Sequence, residues 1–298
     1  MIRATALDGR VRAFAIDSSA LVAEMQERQG IHPAAAAALG RAATGALLFA
    51  ALLKKEDHTV SIRINGGGPG GTLLATANGQ GEVRGLIANP RPDVAQVRNG
   101  KLNVSGVVGS TGRLRVIRDV GMRHPYSSAV ELVSGEIGDD LAFYLLQSEQ
   151  IPSAIGIGVF VRADGSVEAA GGYMVQLLPG LSDDEVSDIE TTIANLPHPT
   201  TMLRGGDTPE SILSRVFADD FTVLARTPVH FHCPCSRERA ETALIALGED
   251  ELAQIADDAR DLGFTELTCE FCRARYRFEP DTLTSLLAAS RAGPSDVW

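Results

Sequence analysis

Apolar and polar positions alternate over residues 2–17, with a break at Asp8-Gly9. This predicts a hairpin, since Asp-Gly suits a tight turn that needs positive φ. Ser18 stands where an N-cap is expected, and the pattern then predicts a helix to about residue 29. After Gly30, Pro33 opens a long Ala/Leu run over about 34–55, whose small residues Ala38, Gly45 and Ala46 permit close packing. A helix this apolar is expected to be buried on several sides. Strand patterns follow at 60–65, 72–78 and 82–88, separated by the glycine turns 66–71 and 79–81. They continue from 102 to 178, with one helix at about 139–150 that sets Leu141, Leu145 and Leu146 on one face, and a hairpin at Asp164-Gly165. Strands outnumber helices without alternating regularly with them, so the expected fold class is α+β rather than a doubly wound sheet.

Pro179-Gly180 closes this first region, 1–180, and the character of the chain changes. Residues 181–220 hold nine acidic residues against Arg204 and Arg215, a net −7. Ser182 and Glu185 form a capping box, and Val186, Ile189, Ile193 and Leu196 follow at helical spacing until Pro197 and Pro199 stop the helix. Thr208-Pro209 opens a second short helix carrying Ile212, Leu213, Val216 and Phe217. Each has a narrow apolar stripe and an acidic face, so each depends on docking to a neighbour. Residues 181–228 therefore read as an acidic, marginally stable helical linker.

The third region, 229–298, holds all four cysteines: Cys233-Pro-Cys235 and Cys269-Glu-Phe-Cys272. Two short clamps of this kind, 33 residues apart, can be folded onto one tetrahedral zinc ion. Ser236 is placed to cap a helix ending at Gly248, and a second helix ends at Gly263. The second clamp lies between strand patterns at 264–268 and 273–278, in the turn of a hairpin, as in a zinc knuckle. A thioredoxin-type motif would instead follow a strand and open a helix. Four thiolates close the coordination shell and leave no place for water or substrate, which argues against a hydrolytic centre. His230 and His232 read as strand residues beside the first clamp rather than ligands. Gly66, Gly68 and Gly71 match G-x-G-x-x-G, but they join two strands and no helix follows, so no phosphate-binding role is assigned.

Charge narrows the partners. The whole chain carries −11, and residues 228–298 carry seven Arg against thirteen acidic residues. A four-thiolate zinc centre would add further negative charge, so nucleic acid is not an expected partner. Nor is a membrane: the most apolar stretch, 42–53, falls short of the roughly 18 residues needed to span one. Residues 1–10 are charged where an export signal is apolar, so a cytoplasmic location is expected. In that reducing compartment the cysteines are expected to act as metal ligands or a redox device rather than permanent disulfides. A core of about 65 residues rarely supplies more than about 3–5 kcal/mol, whereas structural zinc contributes about 10–16 kcal/mol. The metal would then decide whether the third region folds.

These residues resemble a known family. His232-Cys-Pro-Cys-Ser-Arg-Glu-Arg239 and Thr268-Cys-Glu-Phe-Cys-Arg-Ala-Arg-Tyr276 are similar to the zinc module of the bacterial redox-regulated heat-shock holdases, the 33 kDa chaperonin family. The resemblance extends to Leu39-Gly-Arg41, Gly68-Pro69, Val83-Arg-Gly85, Asn89-Pro90, Val130-Glu-Leu-Val-Ser-Gly-Glu136, Ser148-Glu-Gln150 and Gly171-Gly172 with Gln176. Tyr126 belongs to the same set, and Ser128 stands where the resemblance leads one to expect glycine. It implies an N-terminal α+β domain, a metastable linker and a zinc switch domain with Cys233, Cys235, Cys269 and Cys272 as ligands. It implies an ATP-independent chaperone rather than an enzyme, inactive while reduced and zinc-bound. On oxidation by hypochlorite, or by peroxide with heat, it implies disulfides Cys233–Cys235 and Cys269–Cys272, release of zinc and disorder of the linker. The product would be a homodimer that holds unfolding client proteins. On the residues alone two other classes stay open: a constitutive zinc-stapled protein-binding module, and a dithiol oxidoreductase using Cys269 and Cys272.

Overall fold

Alanine and leucine favour helix and bury readily, and the run after Pro33 forms the innermost element of the computed structural model, which describes residues 1–98 and 100–291. In chain order β1 (Ile2–Ala6), β2 (Val11–Asp17), α1 (Ser19–Gln29) and α2 (Pro33–Ala50) are followed by β3 (Thr59–Asn65), β4 (Leu73–Asn78) and β5 (Glu82–Ile87). The short strands β6 (Val97–Arg98) and β7 (Lys101–Leu102) lead to α3 (Val104–Val108), β8 (Arg113–Asp119), β9 (Tyr126–Glu131) and α4 (Gly138–Glu149). Next come β10 (Ser153–Val161), β11 (Val167–Leu177), α5 (Asp183–Ala194), α6 (Pro199–Arg204), α7 (Pro209–Phe217), β12 (Phe221–Arg226) and β13 (His230–Phe231). The last elements are α8 (Arg237–Ala246), α9 (Glu249–Leu262), β14 (Thr265–Thr268), β15 (Arg275–Phe278) and α10 (Pro280–Arg291). The chain divides into two compact units, Met1–His232 and Cys233–Trp298. The mixture of strands and helices is α+β, as the pattern predicts.

In the first unit 16 of the 18 residues of α2 are buried. Its length and composition would suit a membrane span, but 89% of it is enclosed by the fold. Gly45 lets α4 approach closely, because a Cβ there would lie 2.4 Å from Leu141 Cδ1 and force that side chain to move. A five-stranded antiparallel sheet, ordered β10-β11-β2-β1-β12, and a six-stranded sheet, ordered β13-β5-β4-β3-β8-β9, pack around this helix. Along β2 the side chains alternate in destination: Phe14 and Ile16 join the core around α2, while Val11, Ala13 and Ala15 face a second cluster. The first sheet is thus apolar on both faces.

Residues 181–228 supply the cover for the second face. Ile189 of α5, Met202 of α6 and Ile212, Leu213, Val216 and Phe217 of α7 share one cluster with Ile2, Val11 and Tyr173. Ile212 and Leu213 are fully buried, each worth about 1.5–3 kcal/mol. The hold on α5 is looser. Ile189 is its one buried residue, and a cavity of about 440 Å³ lies under Ile189 and Ile193, bounded by Phe143, Leu146 and Leu177. At its start, Arg10 grips Glu185 with two parallel bonds of 2.9 and 2.8 Å, while Glu185 Oε2 also accepts from Ser182 N at 2.8 Å. The predicted capping box is present.

Several local expectations change. The long helix ends at Ala50 rather than near residue 55, because Leu52 and Leu53 tighten into bonds to the Phe49 and Ala50 carbonyls. Ser18 does not cap α1; its hydroxyl meets Thr44 Oγ1 at 2.8 Å, and Asp17 accepts from Ser19 N instead. Leu146 is 53% exposed, and Tyr144 takes its place beside Leu141 and Leu145. Positions i, i+3 and i+4 share a helix face, whereas i+5 turns away from it. The linker is not helical throughout. Phe221–Arg226 is a strand paired with β1, and Thr227 and Met1 exchange two backbone bonds of 2.9 Å at its end. Pro199, read as a stop, instead opens α6.

The Arg10 guanidinium and the Ser182 donors hold the Glu185 carboxyl down from its ordinary 4.5 to about 2. Its folded value lies below its unfolded one, so its contribution is complete above about pH 4.5 and is lost as the pH falls toward 2. Protection of the amides of residues 183–194, measured as exchange relative to the intrinsic rate at each pH, should fall over that window before that of the sheet amides. Glu185→Gln should show the faster exchange already at pH 7, without a further acid step. Equal exchange in both proteins at pH 7 would contradict this role.

Candidate metal centre

The second unit brings the two clamps together across 33 intervening residues. Ser236 caps α8 by accepting from Arg239 N at 3.2 Å, fixing the chain just after the first clamp. The second clamp lies in the turn between the antiparallel strands β14 and β15. Cys269 N donates to Ala274 O and Arg273 N to Cys269 O, both at 2.8 Å. Arg273 closes the knuckle with φ of 61°, in the left-handed region. Arg237 links the two halves: it donates to Arg277 O at 2.8 Å and stacks over the Phe278 ring at 4.5 Å.

The four sulfurs of Cys233, Cys235, Cys269 and Cys272 lie within 4.8 Å of one another. Cys233 Sγ is 3.7 Å from Cys269 Sγ, and Cys235 Sγ is 3.2 Å from Cys272 Sγ. Sulfurs at the corners of a tetrahedron with bonds of about 2.3 Å stand about 3.8 Å apart. The donor set and its spacing therefore fit a metal ion, and thiolates favour a soft one. His230 and His232 are not in this group; they lie in the first unit, His230 on the strand paired with β5 and His232 just beyond it, 3.8 and 4.0 Å from Glu82.

Electrostatics divides the thiols. Burial alone would raise the Cys235 thiol, but Tyr276 Oη, donating at 3.1 Å, and bonds from the other three thiols bring it down to about 7. Burial and its bonds to the other thiols push Cys272 up to about 12, and burial also raises Cys233. Metal-free, the bonds from Tyr276 and the neighbouring thiols favour the thiolate form of Cys235. Tyr276 and Arg237 were not singled out from the sequence. The available signal for Tyr276 was that it is the one tyrosine in residues 229–298.

The core beneath the clamps is small. Among the described residues of this unit its buried members are Ala240, Leu244, Leu252, Ala256, Ala259, Phe278 and Leu283, three of them alanine. The glycine turn set aside in the sequence has a packing role: a Cβ at Gly66 or Gly68 would lie within 2.6 Å of the backbone at 107–109. Two resemblance motifs also meet, as Arg41 donates to the Glu136 carbonyl and carboxylate at 3.0 and 2.7 Å. At the divergent position, Ser128 shares a 2.6 Å bond with the hydroxyl of buried Tyr144, a partner that glycine would lack.

The model of the family described as Hsp33 protein matches residues 1–279. This chain belongs to the Hsp33 family. It is 41% identical over 286 residues to the 33 kDa chaperonin of Bacillus subtilis, covering 96% of this chain and 97% of that one. Identity to the 33 kDa chaperonin of Geobacillus kaustophilus is 42% over 287 residues, 96% of each chain. The crystal structure of the 33 kDa chaperonin from Thermotoga maritima superposes with a TM-score of 0.89 at 35% identity, covering 97% of this chain and 98% of that one. Membership of this family supports a chaperone function.

If Tyr276 steadies the Cys235 thiolate, Tyr276→Phe should shift the pH-rate profile for alkylation of the reduced, metal-free protein upward from about pH 7 toward the ordinary thiol value of 9. Alkylation site and rate are readable by mass spectrometry. An unchanged profile would remove Tyr276 from the electrostatics of the cluster.

Proposed function

We propose that this chain is a redox-regulated, ATP-independent holdase that binds unfolding proteins during oxidative stress. The observation that carries the reading is the gathering of four sulfurs within 4.8 Å in a unit whose buried core is small. In the reduced state Cys233, Cys235, Cys269 and Cys272 hold one zinc ion. The ion supplies a closed crosslink, worth about 10–16 kcal/mol in small metal domains, against a core that gives about 3–5 kcal/mol. The residues leave no open coordination position, consistent with a protein that is not an enzyme.

Oxidation converts Cys233 with Cys235, and Cys269 with Cys272, into disulfides. Each pair of thiolates gives up two electrons to one molecule of hypochlorous acid, which takes up one proton from the solvent and leaves as chloride and water. Together the two bonds remove all four ligands from the ion and the second unit loses its staple. Residues 181–228 then leave the first sheet, and the chain pairs as a homodimer that holds client proteins. The loosely filled space under α5 and its single buried residue, Ile189, support the linker's readiness to leave. The within-clamp pairing rests on the family resemblance, since the 3.7 and 3.2 Å sulfur contacts run across the clamps. The reading places the protein in the reducing cytoplasm, where the thiols stay metal-bound until oxidant rises.

Zinc content, free thiols and suppression of a client enzyme's thermal aggregation should change together on treatment with hypochlorite. Full protection by the reduced, zinc-loaded protein would sink the switch and favour constitutive docking. Turnover of a disulfide substrate with zinc still bound would favour a dithiol oxidoreductase. Peptide mapping that found Cys235 joined to Cys272 would overturn the pairing. Leu213→Ala, which empties a fully buried site at a cost of about 2–5 kcal/mol, should lower the oxidant dose that activates the protein. An unchanged dose would show that docking of α7 does not gate activity.

A further inference from the structure

β1 is an interior strand of the first sheet by virtue of a single neighbour. The sheet order is β10-β11-β2-β1-β12, so β12 is terminal and β1 becomes the edge wherever β12 is absent. No residue of β12 is buried; its side chains alternate between half-buried and exposed along Phe221–Arg226. Its inward side chains Phe221 and Val223 pack on the cluster that contains α7, and the Phe221 ring stands 6.4 Å from that of Phe217. Loss of α7 therefore strips the apolar cover from Phe221 and Val223 and leaves β12 held chiefly by its ladder to β1.

Beneath β12, β1 offers a particular surface. Ile2, Ala4 and Ala6 are buried on the side of the linker helices, and two of the three are alanine. Small side chains leave shallow room for the residues of an added strand and demand little of their shape. The bonds that hold β12 are main-chain ladder bonds, from Ile2 opposite Arg226 to Ala6 opposite Phe221, with one irregularity at Arg3-Ala4. Such bonds are available to any extended segment, whatever its sequence. An unfolded polypeptide has what β12 has: unpaired backbone groups and occasional alternating apolar side chains. A folded partner has its own backbone groups already paired.

We propose that the main-chain edge of β1, held here by β12, is a docking site for an extended segment of an unfolded client, which replaces β12 as an added antiparallel strand. This rests on the proposed release of residues 181–228. β12 is then an internal occupant, a stand-in for client while the linker is docked, and recognition is broad because the backbone carries it.

The test uses the full chain in two activated forms, the oxidised protein and the reduced Leu213→Asp variant, each assayed for client protection. The probes are a synthetic peptide of residues 220–228 and the same peptide N-methylated at alternate positions, which keeps the side chains and removes ladder donors. The parent peptide should lower client protection by at least about twofold, and the methylated one should leave it unchanged. Equal competition by both peptides, or none by the parent in a form that holds client, overturns the proposal. If the Leu213→Asp variant holds client and the oxidised protein does not, the redox reading fails and the β1 edge is judged on the variant alone. If neither holds client, both readings fall. A parent peptide that dissociates dimers while leaving client protection intact assigns the edge to a second copy of this chain and likewise overturns the proposal.

Discussion

A sheet that is apolar on both faces must be covered on both, and this constraint shapes the first unit. One face of the β10-β11-β2-β1-β12 sheet is covered by α2, which is buried over nearly its whole length. The other is covered by residues that follow the strands in sequence and differ from them in character: short, acidic helices with narrow apolar stripes. The cover is as necessary as α2 but far less secure. It rests on the anchors of α7, on Ile189, and on the grip of Arg10 on Glu185. The ion pair is only half-buried and so is weakened by solvent and salt, and a cavity under α5 forgoes contacts that a filled core would make.

The second unit has the complementary weakness. Its apolar core is small and rich in alanine, so its stability depends on what joins its two halves. Arg237 bridging to Arg277 and Phe278 is one such link, and four converging sulfurs are the other. Thiols serve two chemistries: as thiolates they hold a soft metal, and on oxidation they join each other and cannot. The chain runs directly from the cover of the sheet into this unit, His232 being followed by Cys233.

Much of this was legible in the sequence. Period-two and period-3.6 patterns identified β3, β4, β5, α1, α2, α4, α5 and α7 because their partners are apolar and their faces sharply divided. The cysteine clamps were legible because two thiol pairs at such spacings form a recognisable metal-ligand pattern. The errors fell where a distant residue decided the outcome. Ser18 gave up its capping role to reach Thr44, Tyr144 displaced Leu146 on the inner face of α4, and Phe221–Arg226 became a strand because β1 lay free beside it.

The sequence by itself determined which side chains carry the chemistry: four cysteines in two clamps, a net negative charge that disfavours nucleic acid, and an apolar helix destined for the interior. Tertiary structure alone decided how those parts depend on one another. It set the sulfurs within reach of one ion and placed Tyr276 against Cys235. It also made the acidic segment the cover and final strand of the first sheet. The physical reason is the same throughout. Spacing along the chain fixes which groups can act locally, whereas burial, hydrogen-bond partners and thiol acidity depend on neighbours that only the folded chain brings near.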